Sequence, residues 1–324
     1  MRIFDFFIPY EDITWIFEGI GVTVFSLLIT LVGFVIKHLF KLRNKKRDKT
    51  QSNGLDSIKE DYLTNNGIEV YKGIDKIDEM VKRFIQIYEA HGIEKNQIPA
   101  FIDQKFQLKI KDFKDNQSIL QVVDEELLNW TCEKFGVDRD WLDGTSDRIY
   151  SRNDYYKNVE KFIDDLCELI KENNNIEIYA FKNKNLNRDD RRAYVVLLIK
   201  YEIGKLNSNT IYRYEPVSTS WIWGYWRSRY QLKAIIYLCK KLKIYIKGCD
   251  LVQEYTIEDG SVFPGEFLNA FPITFTWYPE DYIDLISQNM QAVETDETEI
   301  VREYIKNEKY EDYLEKILDI KMSN

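Results

Sequence analysis

Histidine is nearly absent from this chain: 324 residues contain two, His38 and His91. That scarcity disfavours a histidine general acid or base and a Ser–His nucleophile pair. Cysteine is sparse as well. Cys132, Cys167, Cys239 and Cys249 form no Cys-x-x-Cys pair, so a zinc centre is disfavoured and reduced thiols are the simplest expectation. Positive charge is in deficit, with a formal net charge of -9. The chain as a whole therefore does not suit a polyanion, and any nucleic-acid site has to be a local patch. There is no internal repeat, and "EDGSVFPGE" holds its two glycines without a phosphate-loop pattern.

What the chain does have is aromatic side chains, 7 Trp, 22 Tyr and 18 Phe, in a globular background of 44% hydrophobic and 31% charged residues. It also has one long apolar run. Gly19 to Ile36 carries no charge, and with Trp15–Phe17 before it and Leu39–Phe40 after it the run reaches the ~20 apolar residues that a bilayer core requires. Lys37, Lys41, Arg43, Lys45, Lys46, Arg47 and Lys49 follow it against Asp48 alone, while Arg2 precedes it. The positive-inside rule then predicts residues 1–12 outside, a transmembrane helix over 13–40, and everything beyond in the cytoplasm, anchored to the inner membrane. The same basic run would attract anionic headgroups. Residues 41–74 read as a basic juxtamembrane segment and polar linker.

From Ile74 the apolar residues Ile77, Met80, Val81, Phe84, Ile85 and Tyr88 recur at helical spacing, stopping at His91-Gly92. Short helical patterns follow over Ile119–Val123 and Glu125–Phe135, the second closed by Gly136. Residues 75–150 thus read as a small all-α bundle. Ser151 to Asn173 forms one longer amphipathic helix, a connecting element over 151–175. The composition then changes. "IEIYAF", "YVVLLIKYEI" and "TIYRYEPV" are rich in β-branched and aromatic residues and predict strands, with Gly204–Asn209 as the connection between the last two. A helix over Tyr230–Lys243, a strand over Ile244–Ile246 and one more strand within Val262–Pro279 complete a mixed α/β domain over 176–290. A single charged helix, from about Thr298 to Ile320, occupies 291–324. The predicted class is α+β: one transmembrane helix, a helical bundle and a C-terminal mixed α/β domain.

The bundle carries a family likeness. "VKRFIQIYEAHGI" looks like a first helix and its turn, and "LLNWTCEKFGVDRDWLDGTSD" carries the pattern Phe-Gly-Val-x-x-x-Trp-Leu-x-Gly, with Trp141 and Leu142 placed to pack back on the bundle. In these stretches residues 76–150 resemble the lambda-repressor-like (Cro/repressor, xenobiotic-response-element) helix-turn-helix domains. Ala100, Ile110 and Phe113 have the family's spacing, whereas Gln104 stands where the turn glycine belongs and Pro99 falls inside the second helix. The resemblance implies duplex-DNA binding by the recognition segment, where Lys105, Lys109, Lys111 and Lys114 cluster. Charge gives the same residues a second reading. Acidic side chains outnumber basic ones between Asp75 and Tyr150, and phosphate contacts dominate DNA affinity, so the four lysines equally suit the solvated face of a protein-interaction bundle.

A second cluster lies in "STSWIWGYWRSRYQLK", where Trp221, Trp223, Tyr225, Trp226, Arg227, Arg229 and Tyr230 crowd together. Trp223, Trp226, Arg227 and Arg229 are the candidate ligand-binding residues: rings to stack on a planar group, guanidinium groups to pair with a carboxylate or phosphate. The alternative is that the rings anchor a loop to the sheet. Catalytic constellations are scarce. Asp189–Asp190 beside Arg191–Arg192 read as a solvated helix start, and Glu202, Glu215 and Glu266 show no spacing that singles out a metal-dependent nuclease. No catalytic residue, metal or cofactor is assigned. The expected partners are a lipid bilayer, duplex DNA, a protein partner or second copy, and a small molecule of unknown class. The reading is a membrane-anchored regulatory protein with a repressor-like domain and a C-terminal sensor, or a tethered interaction or defence component whose bundle no longer binds DNA.

Overall fold

The computed structural model describes residues 65–172, 175–251, 257–270, 275–283 and 294–322. The chain divides into two units, Met1–Gly73 and Ile74–Asn324, and the account below concerns the second. The membrane architecture expected from the sequence is corrected here. Among the described residues no helix is long and apolar enough to cross a membrane. The segment expected to do so, 13–40, lies outside the described residues, as do the basic flank and the residues before it. The single-pass, inner-membrane assignment is therefore not carried further. What the structure gives is an α+β fold.

The helical region opens with α1 (Asn65–Ala90), whose Val81, Phe84, Ile87 and Tyr88 are fully buried. It ends where Gly92 adopts φ +81 and Ile93 N returns to Tyr88 O at 2.9 Å, a left-handed C-cap that glycine enters without steric cost. A short α2 (Ile98–Phe101) follows, with Pro99 in its first turn, where a missing N–H leaves no bond unmade. After α3 (Asn116–Leu120), α4 (Glu125–Phe135) is capped by Asp124, which accepts from Leu127 N at 2.9 Å, with Glu125 and Glu126 in its first turn. Gly136, at φ +70, closes it. α5 (Arg139–Leu142) seats Trp141 and Leu142 in the core, as the Trp-Leu pair of the sequence pattern requires.

The amphipathic pattern expected from Ser151 yields a shorter helix, α6 (Val159–Glu172), preceded by an irregular stretch pinned by Tyr155 N to Thr219 Oγ1 at 2.8 Å. β1 (Ile176–Lys182), β2 (Tyr194–Leu206), β3 (Asn209–Pro216), β4 (Trp221–Ile222), β5 (Ile246–Asp250) and β6 (Phe275–Trp277) form one sheet of order β3-β2-β1-β5-β6, with β4 on β2. Among the described residues, β1–β5 is the one parallel pair. The expected connection Gly204–Asn209 contracts to the turn at Asn207–Ser208, because both strands continue in register to Leu206↔Asn209. α7 (Trp226–Lys241) starts four residues earlier than expected, taking in most of the aromatic–arginine cluster. The Val262–Pro279 stretch holds α8 (Pro264–Ala270) as well as β6. The expected single C-terminal helix is two, α9 (Thr295–Asn307) and α10 (Tyr310–Met322), separated where Lys309 takes φ +58.

Strand alternation sorts the sheet. Val195, Leu197 and Ile199 join Phe162, Leu166, Leu232, Ile236, Val301 and Leu314 of the helices in one core. Val196 and Leu198 point the other way, with Tyr179, Phe181, Tyr214 and Ile257. Beyond a bulge at Glu202/Gly204 the hairpin end leaves both layers: Leu206 and Ile211 enter the core of the helical region, together with Phe263. Gly204 permits that approach, since a Cβ there would lie 3.1 Å from the Phe101 ring.

Candidate functional site

The lysine segment is built without an α-helix. Gln104–Phe106 and Ile110–Phe113 are 3-10 turns, joined through Gln107 at φ +52. Short polar caps hold them: Asp103 accepts from Lys105 N and Asp112 from Lys109 N, both at 2.9 Å. Phe113 is buried and anchors the segment, whereas Ile110 is 69% exposed. Lys105 is engaged, its Nζ 2.7 Å from Glu126 Oε1 and 4.7 Å from the Phe106 ring. Lys109, Lys111 and Lys114 are exposed, and among the described residues none of them has an ion pair within 4.0 Å. Lys111 and Lys114 line a shallow hollow with Ile110, Glu89 and Glu94, and Lys109 precedes Ile110 in the chain. The segment therefore presents three available ammonium groups, one exposed apolar side chain and interspersed carboxylates.

The aromatic–arginine cluster is divided by the start of α7. Trp221 and Trp223 are fully buried, and Trp223 Nε1 donates to Glu294 Oε1 at 3.0 Å. Arg229 is buried too, with Nε 2.9 Å from Glu297 Oε2 and further contacts to Glu297 Oε1 and Trp223 O. Lys233, fully buried, bonds Glu294 Oε2 at 2.7 Å and Glu297 Oε2 at 2.9 Å. Burial raises the Glu297 pKa, but the bonds from Arg229 and Lys233 outweigh it and hold the carboxyl at about 2. These groups fasten α9 to α7. Trp223 and Arg229 are thus taken by the protein itself, and of the four expected ligand residues only Trp226, 47% exposed, and Arg227, stacked 4.9 Å above its ring, face solvent.

A third place was not anticipated. Where α4 ends against β3, a cleft of about 460 Å3 opens between Asn129, Glu133, Tyr150, Asn153 and Arg213. Arg213 spans it. Its Nη1 donates to Glu133 O at 2.6 Å, in the last turn of α4, and its Nη2 lies 2.9 Å from Glu215 Oε1 on the same strand. Its Nε is buried without a hydrogen-bond partner, as is the Tyr150 hydroxyl. Beneath them the His91 ring lies tilted against Phe135, 4.5 Å between centroids, and Tyr214, 5.6 Å. Its Nδ1 is 2.6 Å from Ile87 O, so Nδ1 carries the proton and donates, leaving Nε2 as an unpartnered acceptor. Burial lowers the His91 pKa to about 4, partly opposed by the Ile87 bond and assisted by the Arg213 charge. Burial likewise keeps Tyr150 protonated well beyond the usual phenol range.

Two signals in the sequence mark this cleft in hindsight. Gly136, read only as a helix end, also leaves room for Arg213: a Cβ there would stand 2.7 Å from Arg213 Nε, so the guanidinium would have to shift. Arg213 and Glu215, two residues apart in "TIYRYEPV", place an opposite-charge pair on one face of an aromatic-rich strand. Compared with known proteins, the chain matches no family model, no curated protein and no solved structure.

Proposed function

We propose that this chain is a ligand-responsive regulatory protein. A small polar molecule enters the cleft between α4 and β3, and the segment around Ile110, Lys109, Lys111 and Lys114 presents an interaction face to a protein partner. The observation that carries the reading is Arg213, whose guanidinium joins the last turn of α4 to β3 in the wall of the cleft. A ligand that draws Arg213 away from Glu133 O loosens the end of α4, the helix whose Glu126 holds Lys105. Exposed Ile110 and the carboxylates among the lysines favour a protein over a polyanion as partner.

The test is a thermal-melting screen of the full chain against small polar molecules, repeated with Arg213→Lys. The reading expects compounds that raise Tm in the wild type but not in the variant, and that speed hydrogen exchange at Gly136 and Val137, whose amides close the end of α4 on Cys132 O. Hits insensitive to Arg213→Lys place the ligand elsewhere and defeat the reading. A second reading, duplex DNA as the partner, is favoured by the three lysines that stand free of ion pairs among the described residues. It expects each replacement of Lys109, Lys111 or Lys114 by Ala to reduce the salt slope of log K by about 1. DNA binding that is undetectable at low salt excludes it.

A further inference from the structure

The start of α7 carries a site of its own, separate from the α4–β3 cleft. A hollow of about 350 Å3 lies there, lined by Asp154, Tyr156, Ser218, Ser220, Tyr225 and Ser228. A helix leaves the N–H groups of its first turn without intrahelical acceptors, and its aligned peptide dipoles make that end positive. In most helices a Ser, Thr, Asp or Asn cap answers the first need and acidic residues the second. α7 has neither. Tyr225 at its N-cap makes no side-chain cap bond, and its first turn, Trp226-Arg227-Ser228-Arg229, contains no acidic residue. The first helical bond is Arg229 N to Tyr225 O at 3.0 Å. Ser228, which lines the hollow, is 2% exposed, and its hydroxyl has no hydrogen-bond partner. Arg227 adds an exposed guanidinium beside Tyr225. Of α7 and its cap, Tyr225 and Ser228 line the hollow, each with a hydroxyl able to donate, and the helix end adds its positive dipole; Arg227 stands outside the lining, close enough to Tyr225 to extend over it.

The opposite requirement comes from Asp154. Its Oδ1 accepts from Thr219 Oγ1 at 2.6 Å and from Tyr156 N at 2.9 Å. Those bonds hold its pKa below the usual carboxylate range, so the group remains an anion in the same hollow. A molecule that brings negative charge to the Asp154 side is repelled there. One that confines its charge to a terminal group at the helix end and turns hydroxyl groups toward Asp154 satisfies both. We propose that the N-terminus of α7 binds the phosphoryl group of a small hydroxylated phosphate ester, with the amides of residues 226–228, the Ser228 hydroxyl and Arg227 on the phosphate and Asp154 on a ligand hydroxyl.

The proposal is tested on the full chain by titrating inorganic phosphate, glycerol phosphate and, at matched ionic strength, sodium chloride, while following the backbone amides of Trp226, Arg227 and Ser228 by NMR. Saturable shifts are expected with both phosphates and none with chloride, with a Kd tighter than about 10 mM. Ser228→Ala removes a hydroxyl without a partner, so its Tm stays level or rises, while phosphate binding weakens about tenfold, the effect of one hydrogen bond to a charged group. Asp154→Asn removes the preference for glycerol phosphate over inorganic phosphate and leaves the affinity for inorganic phosphate equal or better. Absence of saturable shifts at these three amides overturns the site. Equal binding by Ser228→Ala overturns the role of its hydroxyl. Equal affinity of the wild type for the two phosphates overturns the hydroxylated-ester class.

Discussion

Single residues decide more of this structure than their types suggest. Gly136 serves two ends at once. Its φ of +70 closes α4, and its missing side chain admits Arg213 Nε. Gly136→Ala is expected to cost about 1–3 kcal/mol for the left-handed backbone alone, with the displacement of Arg213 in addition. In an Arg213→Ala background the second contribution disappears, so a double-mutant cycle read by urea unfolding should show a smaller penalty there. Equal penalties in both backgrounds would mean that Arg213 does not need the space. His91 makes a prediction in pH. Its folded pKa of about 4 lies below the ordinary 6.5, so the unfolded chain takes up the proton first. The stability tied to keeping His91 neutral is complete above pH 6.5 and is lost as pH falls from there toward 4. His91→Asn, which retains a donor for Ile87 O, should flatten the stability profile across that window. An unchanged slope would assign the acid sensitivity to other groups.

Elements show why part of the fold was legible and part was not. The ends of α1 and α4 could be read because glycine in the left-handed region and an Asp cap are local chemistry. Strands β1, β2 and β3 could be read because runs such as "YVVLLIKYEI" satisfy two faces of a buried sheet. The start of α7 could not. "WIWGYW" suggests a loop by its glycine and its rings, yet Trp221 belongs to β4 and Trp226 opens the helix. The lysine segment showed no helical period in the sequence, and its short polar caps, Asp103 and Asp112, close single 3-10 turns. The aromatic–arginine cluster illustrates the same limit at the level of function. Nothing within a few residues of Arg229 announces Glu297, which lies far along the chain on α9. Glu297→Gln leaves two buried cations with less counter-charge, and is expected to cost roughly 3–5 kcal/mol. Because its folded pKa of about 2 lies below the ordinary value, the contribution of Glu297 is full above pH ~4.5 and fades as pH falls toward 2. Chemical unfolding at pH 7, where the loss should be largest, checks it. A change below 1 kcal/mol would mean that the pair merely offsets its own desolvation.

At the scale of the whole molecule the question is whether the helical region and the sheet act as one body. The sequence offered a boundary near Tyr150, because the repressor-like resemblance ends there. Burial does not respect it. Leu206 and Ile211 from the β2–β3 hairpin and Phe263 near α8 lie in the same cluster as Phe84, Ile98, Leu127 and Phe135. Tyr150 pairs with Val137, and Ile149 N and Tyr150 N both reach Gly260 O, at 2.8 and 3.1 Å. A helical segment cut at Tyr150 would expose the apolar surface that these side chains cover, which is why a repressor-like pattern need not describe a separable module here. Ile211, 2% exposed, is the residue on which to test this. Truncation of a buried Ile to Ala costs ~2–5 kcal/mol. If helices and sheet fold together, Ile211→Ala lowers hydrogen-exchange protection by the same free energy in α4 and in β1, although Ile211 belongs to neither. The same coupling serves the proposed function, since a ligand held between α4 and β3 reaches the lysine face through α4, and α4 packs in the core that receives Ile211. A loss confined to the sheet, with α4 protected as in the wild type, would show two independent cores and leave the Arg213 contact to Glu133 O as the sole link from the sheet to α4 in the proposed route.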